Sequence, residues 1–273
     1  MKIYQIDAFT DHVFGGNPAG VVPLDSWPTD ETLQAIASEM NLSETAFFAE
    51  DGESDADFLL RWFTPTVEVE LCGHATLAAA HVLFEHVGHP AESIEFRTLH
   101  RCGLVVSRSR DGTLAMDFPA YTHERVALES SLGSAVAEAI GDRADEIYRS
   151  SNNILAVFDS KRRVLEIKPD FKRVAALDAL GVIVTGPGTR HDFVSRYFAP
   201  GAGVDEDPVT GSAHCSLAPY WATRLGKSCL TAHQVSKRGG AMVCEMADSG
   251  DRVRLIGKAV TFFEGEMAGS VIR

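Results

Sequence analysis

Residues 196–226 read RYFAPGAGVDEDPVTGSAHCSLAPYWATRLG, and residues 61–88 repeat their plan as RWFTPTVEVELCGHATLAAAHVLFEHVG. In both copies a strand that begins with arginine runs through a polar turn to a glycine, a helix and a closing glycine. The two arginines are 135 positions apart and the two helix-start glycines 138, so the later copy has three extra loop residues. A repeat at half the chain length predicts two similar lobes.

The composition is that of a globular protein of two domains. The chain has 273 residues, 45% of them hydrophobic, which predicts two domains of roughly 100–150 residues. We expect the first at residues 1–118, completed by a C-terminal segment at about residues 260–273, and the second at residues 119–259.

The net charge of −13 argues against a nucleic-acid partner. The chain shows no signal-peptide pattern and no long apolar run, so we expect a cytoplasmic protein without membrane contact.

Short apolar and alternating runs make this a strand-rich α+β chain. RVLEIKP, residues 163–169, is one of the predicted strands. The predicted helices are Thr29–Met40 with Thr29 or Asp30 as N-cap, His74–Val87 and Ser212–Leu225 with Gly88 and Gly226 as closing glycines, and weaker segments at residues 128–140 and 171–180.

Each copy of the repeat delivers a small or polar turn to a helix N-terminus, at Leu71–Ala75 and at Val209–Ala213. The first N–H groups of a helix have no partner within the helix, and together with the helix dipole they form an anion site. Two such sites that face one cleft suit a small organic acid. Either turn taken alone is more typical of an ordinary helix cap, and the repetition is what favours an anion site.

Glu44 lies in NLSETAFF, residues 41–48, between a predicted helix end and an apolar strand. A carboxylate at the rim of a buried strand is partly desolvated, which suits a general base, although most loop glutamates are solvated. The repeat aligns Cys72 with Thr210 and Glu68 with Glu206. A mechanism with two catalytic thiols, one from each lobe, therefore lacks its second cysteine, because Thr210 stands at that position.

The histidines and cysteines do not predict a metal site. The five cysteines are widely spaced and lack a C-x-x-C pair, and His81, His86 and His89 fall near a helix C-terminus, where histidine is favoured electrostatically. No dinucleotide fingerprint or Walker loop occurs. We therefore expect neither a metal nor a cofactor.

Four ordered motifs, GGNPAGVV, LSETAFF, RWFTP with CGHATLAAA, and RYFAP with DEDPVTGSAH, resemble the PhzF phenazine-biosynthesis-like family nearly end to end. The resemblance implies the diaminopimelate epimerase-like fold: two pseudo-symmetric α+β domains, each a curved mixed β-sheet or barrel around a central helix, with the active site in the cleft between them. It also implies a homodimer.

The resemblance further implies roles for individual residues and a cofactor-independent isomerisation of a small anionic, cyclic or unsaturated metabolite. In that reaction a proton moves from one carbon to another. The implied catalytic residues are Glu44 as general acid/base, His74, Asp207 and Ser212, and the implied substrate-binding residues are Asn17, Cys72, Gly73, Thr210 and Gly211.

Two other functions stay open. The chain can be a metabolite-binding protein without turnover, or an amino-acid racemase or epimerase that uses Cys72. True epimerases of this fold use one cysteine from each lobe, and Thr210 in the second position argues against a two-thiol mechanism.

Overall fold

The computed structural model describes residues 1–52, 55–99 and 103–268. The chain divides into two compact units, Met1–Asp117 together with the segment that starts at Ile256, and Phe118–Leu255. Cys102 and the last five positions of the expected C-terminal segment lie outside the described residues. No helix in the described part of the chain is long and apolar enough to cross a bilayer.

The strands are β1 (Lys2–Ala8), β2 (Asn17–Pro23), β3 (Glu44–Glu50), β4 (Phe58–Phe63), β5 (Glu68–Val69), β6 (Ser93–Arg97), β7 (Gly103–Arg108), β8 (Leu114–Pro119), β9 (Glu124–Val126), β10 (Glu146–Ser150), β11 (Asn153–Val157), β12 (Gly181–Pro187), β13 (Phe193–Ala199), β14 (Val204–Asp207), β15 (Cys229–Gln234), β16 (Gly240–Met246), β17 (Arg252–Gly257) and β18 (Ala259–Glu266). The helices are α1 (Asp30–Met40), α2 (Gly73–Val82), α3 (Ser131–Ile140), α4 (Lys161–Glu166), α5 (Phe171–Ala175) and α6 (Gly211–Leu225). A π-helical turn, Leu83–Val87, continues α2.

The two units repeat the same strand pairing. In the first, β1–β2 is antiparallel, β2–β3 parallel and β3–β4 antiparallel, after which β4 pairs with β5 antiparallel and with β6 parallel. In the second, β10–β11, β11–β12 and β12–β13 follow the same senses, and β13 pairs with β14 antiparallel and with β15 parallel. The structural repeat thus covers six strands in each unit, and only part of it is recognisable as a repeat in the sequence.

Each unit surrounds one helix, α2 in the first and α6 in the second. Eight residues of α2 are buried, and the helix packs against β1, β2, β3 and β18. Nine residues of α6 are buried, and this helix packs against β15 and β16. A helix that is apolar on all sides belongs in a core, and the alanines of α2 let the strands approach it closely. The expected central helices are therefore present in both units.

Most of the predicted helix ends are confirmed. Thr29 is the N-cap of α1, and its side chain accepts a hydrogen bond from the Thr32 backbone N–H. Gly88 and Gly226 end their helices in the left-handed conformation, with φ of 79° and 65°. The central helices begin one residue earlier than predicted, because Cys72 and Thr210 have the extended backbone of N-caps.

Three predicted segments differ from the structure. The predicted strand at residues 163–169 is wrong, because residues 161–166 form α4, where Arg162 and Glu166 make an i, i+4 ion pair and Val164 is buried. The helix predicted at residues 171–180 stops at Ala175. The helix predicted at residues 128–140 begins at Ser131, where the Ser130 side chain caps it.

Pro219 lies in the interior of α6. Proline has no N–H, so the carbonyl of Cys215 loses its helical donor. The backbone N–H of Tyr121 donates to that carbonyl at 2.9 Å, and Nε2 of His123 donates to the next one, at Ser216, also at 2.9 Å. The segment that enters the second unit therefore supplies a donor to the carbonyl that the proline leaves without one, and α6 continues to Leu225.

A two-pronged arginine–glutamate pair holds the turn before each central helix. Arg61 donates from Nε and Nη2 to Glu68, both at 2.8 Å, and Arg196 donates from the same atoms to Glu206 at 2.7 and 2.9 Å. Each guanidinium lies over the phenylalanine two positions further along its strand, 5.1 and 4.8 Å from the ring centroid. Both arginines are largely buried, so these pairs are better shielded from water than surface ion pairs.

We expect Arg61→Met to lower the free energy of unfolding by about 1–2 kcal/mol, because it removes the buried guanidinium that donates two hydrogen bonds to Glu68 and a third to Asp30. Urea unfolding followed by circular dichroism measures the change. Arg162→Met, which removes an exposed i, i+4 pair, is the matched control and should have little effect. Equal losses in the two variants would show that the Arg61 pair contributes no more than a surface pair.

Candidate active site

Four of the residues singled out in the sequence meet at the start of α2. Nε2 of His74 lies 3.3 Å from Oε2 of Glu44, the first residue of β3. Nδ1 of the same ring lies 3.3 Å from Nδ2 of Asn17, the first residue of β2, and 3.5 Å from Sγ of Cys72. Parallel pairing of β2 with β3 and the packing of α2 against both strands bring these positions together.

The hydrogen bonds around His74 define its tautomer. An amide nitrogen only donates, so the contact from Asn17 Nδ2 makes Nδ1 of His74 the acceptor. The ring proton then lies on Nε2, which faces the Glu44 carboxylate. Burial lowers the pKa of His74 to about 3, so the ring is neutral at ordinary pH. Glu44 thus lies beside a neutral hydrogen-bond donor rather than beside a cation.

A glycine positions Asn17. Gly16 has φ of 61°, and a Cβ there would lie 2.1 Å from the carbonyl oxygen of Ala8. Only glycine has neither the steric conflict nor the conformational strain at this point. The GGNP loop is therefore a tight turn, and it delivers the buried Asn17 side chain to His74.

A second group forms within the other unit, at the start of α6. The Thr210 hydroxyl donates to Oδ2 of Asp207 at 2.5 Å. Gln234, buried on β15, donates from Nε2 to the Asp207 carbonyl at 2.7 Å and to Oγ1 of Thr210 at 3.1 Å, and its Oε1 accepts from the Thr210 N–H at 2.9 Å. Because the amide donates to the hydroxyl, the hydroxyl proton is directed at Asp207.

Both central helices secure the carbonyl of their N-cap residue in the same way. Thr76 donates its hydroxyl to the Cys72 carbonyl at 2.6 Å, and His214 donates from Nδ1 to the Thr210 carbonyl at 2.8 Å. In each case the donor is four residues after the acceptor. Burial lowers the pKa of His214 to about 4, and the ring is neutral. Gly211 is buried as the first residue of α6, and Ser212 follows it with an exposed side chain.

The structure therefore collects the predicted site residues into two groups, one within each unit. In the first unit the His74 ring contacts Asn17, Glu44 and Cys72, and in the second Thr210 contacts Asp207. Gln234 is not among the residues predicted from the sequence. Its only signal is a polar residue at a buried position of a strand, and that signal does not reveal its partners 24 and 27 positions earlier.

Comparison with known proteins identifies the relatives of this chain. A family model described as phenazine biosynthesis-like protein, PhzC-PhzF, matches residues 6–265. A Pseudomonas aeruginosa protein named as an uncharacterized isomerase is 49% identical over 98% of both chains. A crystal structure of a PhzF-family protein from Enterococcus faecalis has a TM-score of 0.90 and 41% identity, with 98% of both chains covered.

A more distant structure shows how far the fold extends. A probable proline racemase from Agrobacterium radiobacter superimposes with a TM-score of 0.62 over 98% of this chain and 92% of its own, at 10% identity. The similarity to this racemase concerns the fold alone. The prediction of an α+β, epimerase-like fold with two similar domains is confirmed.

We expect His74 to stay neutral between pH 5 and 9, because burial holds its pKa near 3. Nitrogen-15 NMR of the histidine rings should show a protonated Nε2 and an unprotonated Nδ1 throughout this range, with the signal assigned through His74→Gln. A titration with its midpoint near pH 6.5 would contradict the buried, neutral ring.

We expect Gln234→Leu to lower the free energy of unfolding by about 1–3 kcal/mol, because it leaves buried backbone groups of Asp207 and Thr210 without their amide partner. Denaturant unfolding measures the loss. Gln34→Leu removes a half-buried amide that donates only to the Thr64 carbonyl, and serves as the control with a smaller expected effect. A Gln234 variant as stable as the parent would show that the network is not needed for the second unit.

Proposed function

Because this chain is an isomerase of the PhzC/PhzF family, we propose that it moves a proton between two carbons of a small anionic, cyclic or unsaturated metabolite, with Glu44 as general acid/base and no cofactor. The observation that carries this proposal is the Glu44 carboxylate 3.3 Å from Nε2 of the neutral His74, at the N-terminus of a buried helix. Oε2 of Glu44 faces this ring nitrogen, and the Glu44 side chain is still 19% exposed.

The proposed step begins when Glu44 removes a proton from an acidic C–H bond of the substrate. The resulting charge spreads over the conjugated system, and the protonated Glu44 returns the proton to a second carbon. Neutral His74 suits this cycle. A positive imidazolium would hold the carboxylate in its charged form and weaken it as a base, whereas a neutral N–H orients the carboxylate with a smaller effect.

The substrate anion is proposed to bind at the N-terminal turns of the central helices. Cys72, Gly73 and Asn17 bind it in the first unit, and Thr210, Gly211 and Ser212 bind it in the second. Asp207 is proposed as a catalytic residue that, like His74, protonates or orients the shifted tautomer. The backbone N–H groups of a helix start are fixed in place before the reaction, so they stabilise developing negative charge without reorganising. The same construction in both units supports the proposal that both act on one substrate.

The test uses a panel of small cyclic or unsaturated carboxylic acids in D₂O, followed by proton NMR. At least one compound should exchange a carbon-bound proton in the presence of the protein. Glu44→Gln should slow this exchange by a factor of about 10²–10⁴. Glu50→Gln, at the exposed opposite end of β3, is the matched control and should exchange at the parent rate.

Exchange in Glu44→Gln at the parent rate would exclude Glu44 as the base. If exchange were instead lost in Cys72→Ala and kept in Glu44→Gln, a racemase or epimerase that uses Cys72 would be the better proposal, and the contact of its sulfur with His74 favours that alternative. Thermal stabilisation by a panel compound that survives Glu44→Gln, with no exchange in any compound, would indicate a metabolite-binding protein.

A further inference from the structure

We propose that Glu44, Cys72 and His74 bind one soft divalent metal ion, such as Zn²⁺, at the start of α2. Among the described residues, these three form the group of histidine, cysteine and acidic side chains whose ligand atoms could hold an ion, with all three atoms within 4.8 Å of one another. Thiolate, imidazole and carboxylate are the three ligand types that Zn²⁺ takes in proteins. The same three residues are considered above for proton transfer and substrate binding, so metal binding is an additional role for them.

The distances suit a four-coordinate ion after one small adjustment. With bonds of about 2.0–2.3 Å, neighbouring ligand atoms of a tetrahedral site are roughly 3.3–3.7 Å apart. Oε2 of Glu44 and Nε2 of His74 are already at 3.3 Å. The sulfur of Cys72 lies 3.5 Å from the other ring nitrogen, Nδ1, and within 4.8 Å of the other two ligand atoms. It must move closer to Nε2 to bind the same ion, and that movement breaks no capping hydrogen bond, because the Cys72 side chain does not cap α2.

Asn17 supplies the outer support that a metal-bound histidine requires. When Nε2 of His74 binds an ion, its proton moves to Nδ1, which then needs an acceptor. The Asn17 side chain contacts Nδ1 through its amide group, and a half-turn of that amide presents its oxygen in place of its nitrogen. Asn17 can therefore donate to Nδ1 of His74 when no ion is bound and accept from it when an ion is bound. A lysine could only donate, and a carboxylate could only accept.

The charges also favour an ion at this position. A thiolate and a carboxylate together neutralise a divalent cation, so the buried site carries no net charge when it is occupied. Cys72 and His74 are buried, and the partly exposed Glu44 gives access from solvent. Three protein ligands leave a fourth position for water.

The second unit has the same backbone construction without these ligands. Thr210 takes the N-cap position that Cys72 has in the first unit, and it directs its hydroxyl at Asp207. The described residues of the second unit form no comparable group. One ion per chain is therefore expected.

Binding of the ion releases the thiol proton of Cys72 and engages the Glu44 oxygen. If Glu44 is the proton carrier, as the proposed function holds, the bound ion competes with the isomerisation.

The test is a titration of the reduced, chelator-treated protein with Co²⁺ alone, followed by absorption spectroscopy. We expect a thiolate-to-cobalt charge-transfer band that saturates at one equivalent and disappears on addition of Zn²⁺. Cys72→Ser should lose the band. Cys229→Ser, which alters an exposed cysteine of the second unit, should keep it. Circular dichroism establishes that each variant is folded.

A second measurement gives the contribution of Glu44. Competition for Zn²⁺ against a chromogenic chelator should show at least about tenfold weaker binding in Glu44→Gln than in Glu50→Gln. A parent protein without the charge-transfer band, or a band that persists in Cys72→Ser, would overturn the proposal. Neither measurement uses a substrate, so failure of the metal site and failure of the proposed isomerisation are told apart.

Discussion

The start of a helix that is buried inside a curved sheet is the constraint on which the rest of this structure depends. The backbone groups at such an end are far from bulk water, and each needs a partner. Thr76 and His214 satisfy the carbonyls of the two N-cap residues, and the arginine–glutamate pairs hold the turns that lead into them. What this construction leaves at each helix start is a set of N–H groups with fixed directions, which is the basis of an anion site.

The two units have the same backbone arrangement at the start of the central helix, but different side chains surround it. The first has a carboxylate, a neutral imidazole and a thiol around one point, and its proton positions follow from a single amide contact to His74. The second has a carboxylate that receives a hydroxyl proton, and a buried glutamine fixes that hydroxyl. Both arrangements place a neutral N–H or O–H group beside an acid side chain. A neutral donor positions a carboxylate while leaving it more basic than a cation would.

Features that depend on local backbone chemistry could be predicted from the sequence. The Thr29 cap, the glycines that end α2 and α6, and the strand–turn–helix repeat all follow from which residues tolerate a given conformation. The strand predicted at residues 163–169 shows the limit, because its apolar residues fit a strand as well as a helix, and packing selects the helix. Gln234 shows another limit, since its partners are distant along the chain.

The sequence by itself determined the repeat, the two helix starts and the residue types that stand at them, because these depend on conformational preferences within a few neighbouring positions. The tertiary structure alone decided that Asn17 and His74, 57 positions apart, share a hydrogen bond, that the His74 ring is neutral, and that its proton faces Glu44. Burial and strand register set these properties, and both arise only when distant segments pack together.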